Sequence, residues 1–394
     1  MHKEKTEEKK NIALIIETSN AYGRGLLHGI RGYIESHKNW TIYLGEHSRG
    51  KPKLAWLKDW NGDGIIARIE NKFIAHIISE IKIPTIDVSS GRFIPNLVWV
   101  ETNDQLIAEL AAEHLINCGL KNFAYCYDPY FNWAKWRRKS FKKIISNLNY
   151  PYFEYKINTL DSKKGWFSEQ NKLGNWLKSL PKPIGIMACY DICGLKIIET
   201  CRTLGMLIPD EVAIIGVDND DLLCNLSDPK LSSVIPNTYE TGYKSAELLD
   251  RLMRGENISD NTYLIDPIGV ATRQSTNILA IKDKYVLEVI NFIKHNFQKN
   301  ITVKDCLQNI PLSRRVIERR FLKELNRTIY NEIVRLKLNK VKQLLIETEI
   351  PLYDIAIQSG FKYIEYMSSL FKKKFGIPPS HYRVRHEIKS KIRG

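Results

Sequence analysis

The chain has 394 residues, of which 43% are hydrophobic and 26% charged, and its mean hydropathy of -0.30 is that of an ordinary globular protein of two or three domains. No stretch approaches the roughly 18 uninterrupted apolar residues that a membrane helix needs, which argues against a membrane-spanning protein. Of the formal net charge of +15, residues 280–394 carry +13, from 24 Lys and Arg against 11 Asp and Glu, so this end is expected to meet a polyanion.

The first ten residues form a charged tail, rich in Lys and Glu, with no apolar segment behind it. The pattern predicts neither a secretory signal nor an anchor, and hence a cytoplasmic protein with no membrane partner. Seven irregularly spaced cysteines are typical of reduced, packed thiols. Cys189, Cys193 and Cys201 come nearest to a cluster, but no His lies at a zinc-ligand spacing from them. We therefore predict no metal site and no cofactor.

Strand and helix patterns alternate from Asn11 to about Ile268. The apolar runs typical of buried parallel strands are Ile12–Ile16, Gly64–Ala67, Phe123–Tyr125 and Val212–Gly216. Between them lie amphipathic helices such as Tyr22–His37. The alternation predicts an α/β domain over residues 11–279. That length is long for one doubly wound sheet but fits two lobes.

Polar residues follow several of the predicted strands, at the carboxyl ends where ligands of such folds bind. They are Ser19, Asn20, Arg24, Arg68, Asp87, Ser89, Ser90, Asp191, Asp218 and Asn219. Such groups bond neighbouring hydroxyls in pairs, while rings such as Tyr22, Trp133 and Trp136 cover the apolar face of a sugar. The pattern thus predicts a cleft for a neutral polyol. The alternative is that residues before helical patterns are only N-caps, namely Ser19, Asn20, Asp104 and Asp191.

Six motifs spread over this region resemble the periplasmic-binding-protein-like sensor domains of the LacI/GalR type. They are Gly62–Ile66, Gly185–Ala188 leading to Asp191, Leu204–Pro209, Gly216–Asn219, Pro229–Val234 and Thr272–Ser275. The resemblance implies that Asp191, Asp218 and Asn219 are the main sugar contacts, with Arg137 and Trp133 behind them. The remaining predicted ligand residues are Tyr22, Asn20 and Arg68. Since the first strand starts at Asn11, that family's amino-terminal DNA-binding segment is not expected here.

The strand-like pattern ends after Ser275, and short helical patterns follow from Lys284 to Tyr382. Apolar spacing predicts a helix that ends before Pro311, a three-residue turn, and a second helix for which Ser313 is a suitable N-cap. The pattern recurs about fifty residues later, where Gly360 is expected to turn the backbone at positive φ. A longer amphipathic helix, from about Tyr330 to Glu347, joins the two units.

The prediction for residues 280–394 is therefore an all-α domain with two helix-turn-helix units, each able to place its second helix in the DNA major groove. Its motifs resemble those of AraC-type DNA-binding domains: Ile355-Ala356, Gly360-Phe361, Phe371-Lys372-Lys373, Phe375-Gly376, Pro378-Pro379 and Tyr382-Arg383, with Ser313, Phe321 and Arg335. Leu307 and Pro311 depart from the pattern, since that family usually has Ala and Gly there.

Carried over position by position, this resemblance implies base contacts from Arg315, Glu318, Arg319, Glu365, Tyr366 and Ser369. Arg can bind guanine through two acceptors, and Glu accepts from cytosine. The remaining basic positions are expected against phosphates or in solvent, and they are Lys372, Lys373, Lys374 and Arg383. For each of these residues the alternative is an ordinary solvated position on a helix.

A sensor of the first type followed by a DNA-binding domain of the second resembles the family of bacterial xylose operon regulators. The resemblance implies a sugar-responsive activator of xylose or other pentose catabolism genes. Its implied partners are double-stranded operator or promoter DNA, D-xylose or a related pentose, a second copy in a homodimer, and RNA polymerase.

Two alternatives remain at this point: a sugar-processing α/β enzyme, and a DNA-binding protein with a vestigial sensor. The sequence has no Gly-rich phosphate loop, no Gly-x-Ser-x-Gly elbow and no suggestively spaced Cys/His pair. A pair of carboxylates serves sugar binding as readily as acid/base catalysis. We therefore predict that the protein is not an enzyme.

Overall fold

The computed structural model describes residues 9–37, 40–45, 54–157, 166–277, 281, 283–325 and 327–383. The chain divides into two compact units, Met1–Ile278 and Leu279–Gly394. Apart from Lys9 and Lys10, the charged tail predicted over residues 1–10 lies outside the described residues, and Lys10 already begins the first strand.

The first unit is built from two six-stranded sheets. Its strands are β1 (Lys10–Ile15), β2 (Trp40–Leu44), β3 (Gly64–Ala67), β4 (Thr85–Asp87), β5 (Val98–Thr102), β6 (Phe123–Tyr127), β7 (Tyr152–Lys156), β8 (Ile184–Ala188), β9 (Val212–Val217), β10 (Ser232–Ile235), β11 (Thr262–Ile265) and β12 (Gly269–Ala271). Its helices are α1 (Ala21–His37), α2 (Lys72–Ser79), α3 (Asp104–Asn117), α4 (Asn132–Asn147), α5 (Trp166–Ser179), α6 (Asp191–Thr203), α7 (Asp221–Leu226) and α8 (Thr238–Met253).

Each sheet forms the centre of one lobe. Lobe 1 has the strand order β11-β5-β4-β3-β1-β2 with every neighbouring pair parallel, and helices α1, α2 and α8 pack on it. Lobe 2 has the order β12-β10-β9-β8-β6-β7, in which only the edge pair β10 and β12 is antiparallel, together with helices α3 to α7. The predicted α/β class with two lobes is confirmed.

The strands are apolar on both faces because helices cover both sides of a parallel sheet. In β1, Ile12 and Leu14 face the core under α1 and α8, while Ala13 and Ile15 face the core under α2. Helix α1 lies very close to α8: a Cβ at Gly29 would be 1.9 Å from the Tyr239 carbonyl oxygen. Glycine on α1 therefore allows this contact.

The chain passes between the lobes at three short connections: β5 to α3, β10 to α8, and β11 to β12. Such connections let two rigid sheets move relative to each other about a hinge. The carboxyl ends of the central strands of both sheets face the space between the lobes, where the side chains that follow them meet.

The second unit is helical within its described residues. Its helices are α9 (Lys284–Asn296), α10 (Val303–Leu307), α11 (Arg314–Leu325), α12 (Ile329–Glu347), α13 (Leu352–Gln358) and α14 (Ile364–Phe375). Helices α10 and α11 form the first predicted helix-turn-helix unit, and α13 and α14 form the second. Helix α12 joins them and contributes Ile333 to the first core and Val341 and Leu345 to the second. The predicted pair of helix-turn-helix units is confirmed.

A buried lysine on α12 links the turn before the first unit to the turn between the two helices of the second unit. Lys337 Nζ donates to the Gly360 carbonyl oxygen at 2.6 Å and to Asn300 Oδ1 at 3.3 Å. Gly360 has the expected positive φ, +79°. A Cβ there would lie 2.3 Å from the Phe297 carbonyl oxygen, so the close approach also requires glycine.

None of the helices described is both long and apolar enough to cross a membrane. All seven cysteines lie among the described residues, where they are buried and form no disulfide bond. Across the described residues, no group of three or more His, Cys, Asp and Glu side chains is arranged to hold a metal ion.

Candidate functional site

A cleft of about 360 Å³, counted to its open mouth, lies between the lobes of the first unit. It is lined by Tyr22, Arg68, Val88, Ser89, Ser90, Glu101, Thr102, Asp104, Trp133, Arg137 and Asp218. Lobe 1 supplies the first seven, from the start of α1 and the ends of β3, β4 and β5. Lobe 2 supplies the last four, from α3, α4 and the turn after β9.

Arg68 lies on the lobe 1 side of the cleft and is almost completely buried. Its guanidinium forms ion pairs with Glu17 and Glu70, the second at 2.6 Å, and lies over the Tyr22 ring at 4.9 Å. Burial raises the pKa of Tyr22 to about 12, so its phenol keeps its proton and can donate. Since both carboxylates lie beside Arg68, this side can bond a neutral hydroxyl without presenting net positive charge.

Arg137 holds the equivalent position on the lobe 2 side. Its Nε donates to Asp104 Oδ1 at 2.6 Å, its Nη1 donates to the Cys189 carbonyl oxygen at 2.7 Å, and its guanidinium lies 4.8 Å from the Trp133 ring centre. Burial raises the pKa of Asp104, and the adjacent Arg137 opposes that rise. Each side of the cleft thus pairs a buried arginine with a carboxylate and an aromatic ring.

Asp218 and Asn219 form the turn after β9, where both have positive φ. Asp218 lines the cleft, as predicted from its strand-end position. Asn219 does not belong to the lining: its Oδ1 accepts from Arg273 Nη2 at 2.8 Å. The bond to Arg273 therefore holds Asn219 away from the cleft, while its neighbour Asp218 lines it.

Asp191, predicted to contact the sugar, lies beneath this turn and not in the cleft lining. Its Oδ1 accepts from Ser233 Oγ at 2.6 Å, and its Oδ2 accepts from the Asp220 amide at 2.8 Å and from Cys224 Sγ at 3.4 Å. Burial, followed by the nearby Asp218 charge, raises the pKa of Asp191 above its usual range. In this structure Asp191 therefore anchors the turn that presents Asp218.

Asn20 is also placed outside the lining. Its Oδ1 accepts from the Gly23 amide at 2.7 Å, and its Nδ2 donates to Glu17 Oε1 at 2.8 Å. Asn20 therefore caps α1, the alternative that the sequence had left open. The same alternative is wrong for Asp104 and Asp191, which lie inside the first turns of α3 and α6.

The sequence interpretation missed part of the cleft at the end of β5. Glu101 is 3% exposed, and burial raises its pKa to about 7 against the opposing effect of Arg92. Thr102 lies beside it and approaches the Tyr22 hydroxyl at 3.5 Å. The sequence did carry a signal for these two residues. Polar residues stand at the end of β5, as they follow β3 and β9. However, β5 was not among the strands identified from the apolar runs.

The second candidate site comprises the exposed faces of α11 and α14 in the second unit. On α11, Arg315 and Arg319 are exposed, and Glu318 is half-buried in an ion pair with Arg314 at 2.9 Å. The apolar face of this helix buries Phe321 and its neighbours. The predicted base-contacting face of the first helix-turn-helix unit is thus free of tertiary packing.

On α14, the predicted base-contacting residues Glu365, Tyr366 and Ser369 are exposed, as are Lys372, Lys373 and Lys374. The Tyr366 hydroxyl contacts the hydroxyl of Tyr330, the second residue of α12. Arg383 differs from the expectation of a phosphate contact or a solvated side chain, because it is half-buried and donates to the Ile350 carbonyl oxygen. Arg383 thus joins the segment after α14 to the connection that precedes α13.

Three family models match the chain. They are described as the XylR N-terminal domain over residues 11–104, a periplasmic binding protein-like domain over 112–276, and a helix-turn-helix domain over 308–385.

Matched relatives from two species carry the name xylose operon regulatory protein. The one from Haemophilus influenzae is 31% identical over 387 residues, which cover 96% of this chain and 99% of that protein. The one from Escherichia coli K12 is 30% identical over 385 residues, covering 95% and 97%. A solved structure described as the xylose-binding transcription activator xylR matches with a TM-score of 0.63 at 29% identity, covering 96% of this chain and 99% of that one. The chain therefore belongs to the family of xylose operon regulatory proteins, sugar-sensing transcription regulators that join a periplasmic-binding-protein-like domain to an AraC-type helix-turn-helix domain.

Proposed function

We propose that the cleft between the lobes binds D-xylose or a related pentose, and that this binding changes how the helix-turn-helix units bind operator DNA. The observation that carries the proposal is the cleft's arrangement: each of its two arginines is paired with a carboxylate and covered by a ring. Such a site has donors and acceptors for hydroxyl groups, and because carboxylates already compensate both arginines it offers no uncompensated positive charge to an anion.

The proposed direct contacts are Arg68, Tyr22, Asp218, Arg137 and Trp133. The two rings can cover the apolar faces of a sugar ring from opposite lobes, while the carboxylate and guanidinium groups bond its hydroxyls. Because the contacts come from both lobes, a sugar binds the closed state better than the open one and raises its population. Asp191, Asn219 and Asn20 then act by shaping the cleft.

For DNA, we propose that the exposed polar residues of α11 and α14 contact base edges. They are Arg315, Glu318, Arg319, Glu365, Tyr366 and Ser369. Lys372 and Lys373, near the end of α14, are proposed to contact phosphates, where they add affinity without sequence preference. The net charge of +13 over residues 280–394 supports this assignment.

The finer parts of the proposal follow the matched family. We place the protein in the cytoplasm, as a homodimer that activates pentose catabolism genes in contact with RNA polymerase and that binds its sugar without converting it. The names of the matched relatives and of the matched solved structure support xylose as the effector and activation as the outcome.

Isothermal titration calorimetry of the full chain with a panel of pentoses and hexoses tests the sensor. We expect saturable heat with a pentose and recovery of that sugar unchanged. Turnover of the sugar would instead indicate an enzyme, and no heat with any sugar would indicate a vestigial sensor.

A further inference from the structure

The turn from Ser89 to Arg92, which follows β4, is fixed in place beside the cleft. The Ser89 amide donates to Asp87 Oδ1 at 2.8 Å, and the Gly91 amide donates to Ser89 Oγ at 3.1 Å. A Cβ at Gly91 would lie 2.1 Å from the Ile69 carbonyl oxygen, so this close approach requires glycine. Arg92 has a φ of +49°, which is uncommon for a residue other than glycine. The backbone thus sets the direction of the Arg92 side chain.

The Arg92 guanidinium lies between two indole rings that belong to different lobes. The ring centre of Trp99, on β5 of lobe 1, is 5.3 Å away, and that of Trp136, on α4 of lobe 2, is 4.9 Å away. On the same helix, Asn132 Nδ2 donates to the Gly91 carbonyl oxygen at 3.3 Å. This turn and α4 therefore form a direct contact between the lobes.

The same guanidinium holds a carboxylate that lines the cleft. Arg92 Nε donates to Glu101 Oε1 at 2.8 Å, and Nη2 donates to the same oxygen. Among the described residues, the buried Oε2 of Glu101 has no hydrogen-bond partner. A buried polar atom without a partner is unfavourable, and a ligand hydroxyl would satisfy it.

We propose that Arg92 is a positioning residue for sugar recognition, which orients the free oxygen of Glu101 and ties that orientation to the contact with Trp136 of lobe 2. The inference rests on the proposed function of the cleft. When the lobes open, Trp136 moves away from the guanidinium and Glu101 is held less firmly. A sugar hydroxyl that bonds Glu101 therefore favours the closed state.

The test is D-xylose titration of full-length variants by calorimetry. Trp136→Leu removes the ring face, and we expect Kd to rise roughly 3-fold to 30-fold, the range of a partly desolvated cation–π contact. Trp136→Phe keeps an aromatic face and should recover much of that loss. Arg92→Lys keeps the positive charge but loses the planar guanidinium that stacks on the rings and donates twice to Glu101. Its Kd should therefore rise about as much as that of Trp136→Leu.

A double-mutant cycle separates positioning from mere packing. At a pH above 7, where Glu101 is mostly ionised, Glu101→Gln should weaken binding by roughly 10-fold or more, because a hydroxyl loses its bond to a charged group. In that background Trp136→Leu should add little, since the ring acts through Glu101. Independent, additive losses would contradict the inference, as would equal losses for Trp136→Phe and Trp136→Leu.

Arg138→Lys is the matched control, because Arg138 stacks on Tyr127 at 5.1 Å and pairs with Glu154 at 3.6 Å, both within lobe 2. The Arg138→Lys variant should bind D-xylose as the wild type does. Thermal unfolding checks that every variant is folded. Wild-type affinity in Trp136→Leu and Arg92→Lys would overturn the inference and leave the proposed function standing. If the wild type binds no sugar of the panel, both are overturned.

Discussion

The cleft and the recognition helices place their functional groups in opposite environments. In the cleft, Arg68 and Arg137 are nearly inaccessible to solvent and each is paired with a carboxylate. On α11, Arg315 and Arg319 are exposed, on a helix whose opposite face forms the core. Substitutions in the cleft should therefore change folding and binding together, whereas substitutions on the recognition helices should change DNA binding alone.

The largest expected effect is on the stability of the first unit. Arg137→Met leaves the Asp104 carboxylate buried without its cation, which should lower the free energy of unfolding by about 3–5 kcal/mol. The control is Arg138→Met on the same helix, whose partly exposed ion pair should contribute less than about 1 kcal/mol. Chemical denaturation measures both. If both variants lose the same free energy of unfolding, burial does not make the Arg137 ion pair more important for stability than the Arg138 pair.

The next effect is on sugar binding. Asp218→Ala removes a cleft carboxylate, and loss of hydrogen bonds to a charged group should weaken sugar binding by about 1.5–3 kcal/mol. DNA affinity without sugar should stay unchanged. Asp221→Ala is the control, because that side chain is 83% exposed and outside the cleft lining. An unchanged calorimetric titration of Asp218→Ala would remove Asp218 from the site.

On the DNA side, Arg319→Ala should weaken operator binding by about 1–3 kcal/mol and relax discrimination at one base pair, with sugar affinity and stability intact. Lys373→Ala should instead weaken all duplexes alike and reduce the slope of affinity against salt by about one. Fluorescence anisotropy over operator and random duplexes distinguishes the two. An equal loss for Arg319→Ala on random DNA would show that it contacts only phosphates.

A gradual effect, spread over several pH units, is a pH dependence of stability from Asp87, a buried carboxyl at the end of β4. Burial raises its pKa from 3.8 to about 8, so between those values the folded chain holds a proton that the unfolded chain releases. Stability from this group is present at low pH and falls by about 1 kcal/mol per pH unit as the pH rises toward 8. Asp87→Asn should reduce that slope in denaturation series from pH 5 to 8. A slope unchanged by the substitution would contradict the assignment.

Much of the fold could be predicted, because the spacing of apolar residues along the chain indicates which faces of helices and strands are buried. The apolar runs at β1, β3, β6 and β9 indicated parallel strands, and the apolar spacing around Pro311 and Gly360 indicated two helix-turn-helix units. Helix α12 spans Ile329–Glu347, close to the prediction of about Tyr330 to Glu347. These features depend on local patterns that tertiary contacts reinforce.

The cleft was less predictable, because a position at a strand end does not determine where a side chain points. Asp218 and Asn219 are neighbours, yet only Asp218 lines the cleft, because the Asn219 side chain is bonded to Arg273. Asp191, which was predicted to contact the sugar, lies beneath this turn, where three donors hold its carboxylate. Glu101 acquires its environment from Arg92 and α4, contacts that no local pattern contains.

The most direct test of the central claim is the operator affinity of the full chain with and without sugar. An operator is first selected from a pool of random duplexes, and its Kd is then measured by fluorescence anisotropy at one fixed salt concentration. We expect D-xylose to tighten binding by roughly 5-fold or more, the range of a coupling free energy of 1–3 kcal/mol, and to have no effect in Asp218→Ala. An operator Kd that is the same with and without a sugar that calorimetry shows to bind would contradict the claim.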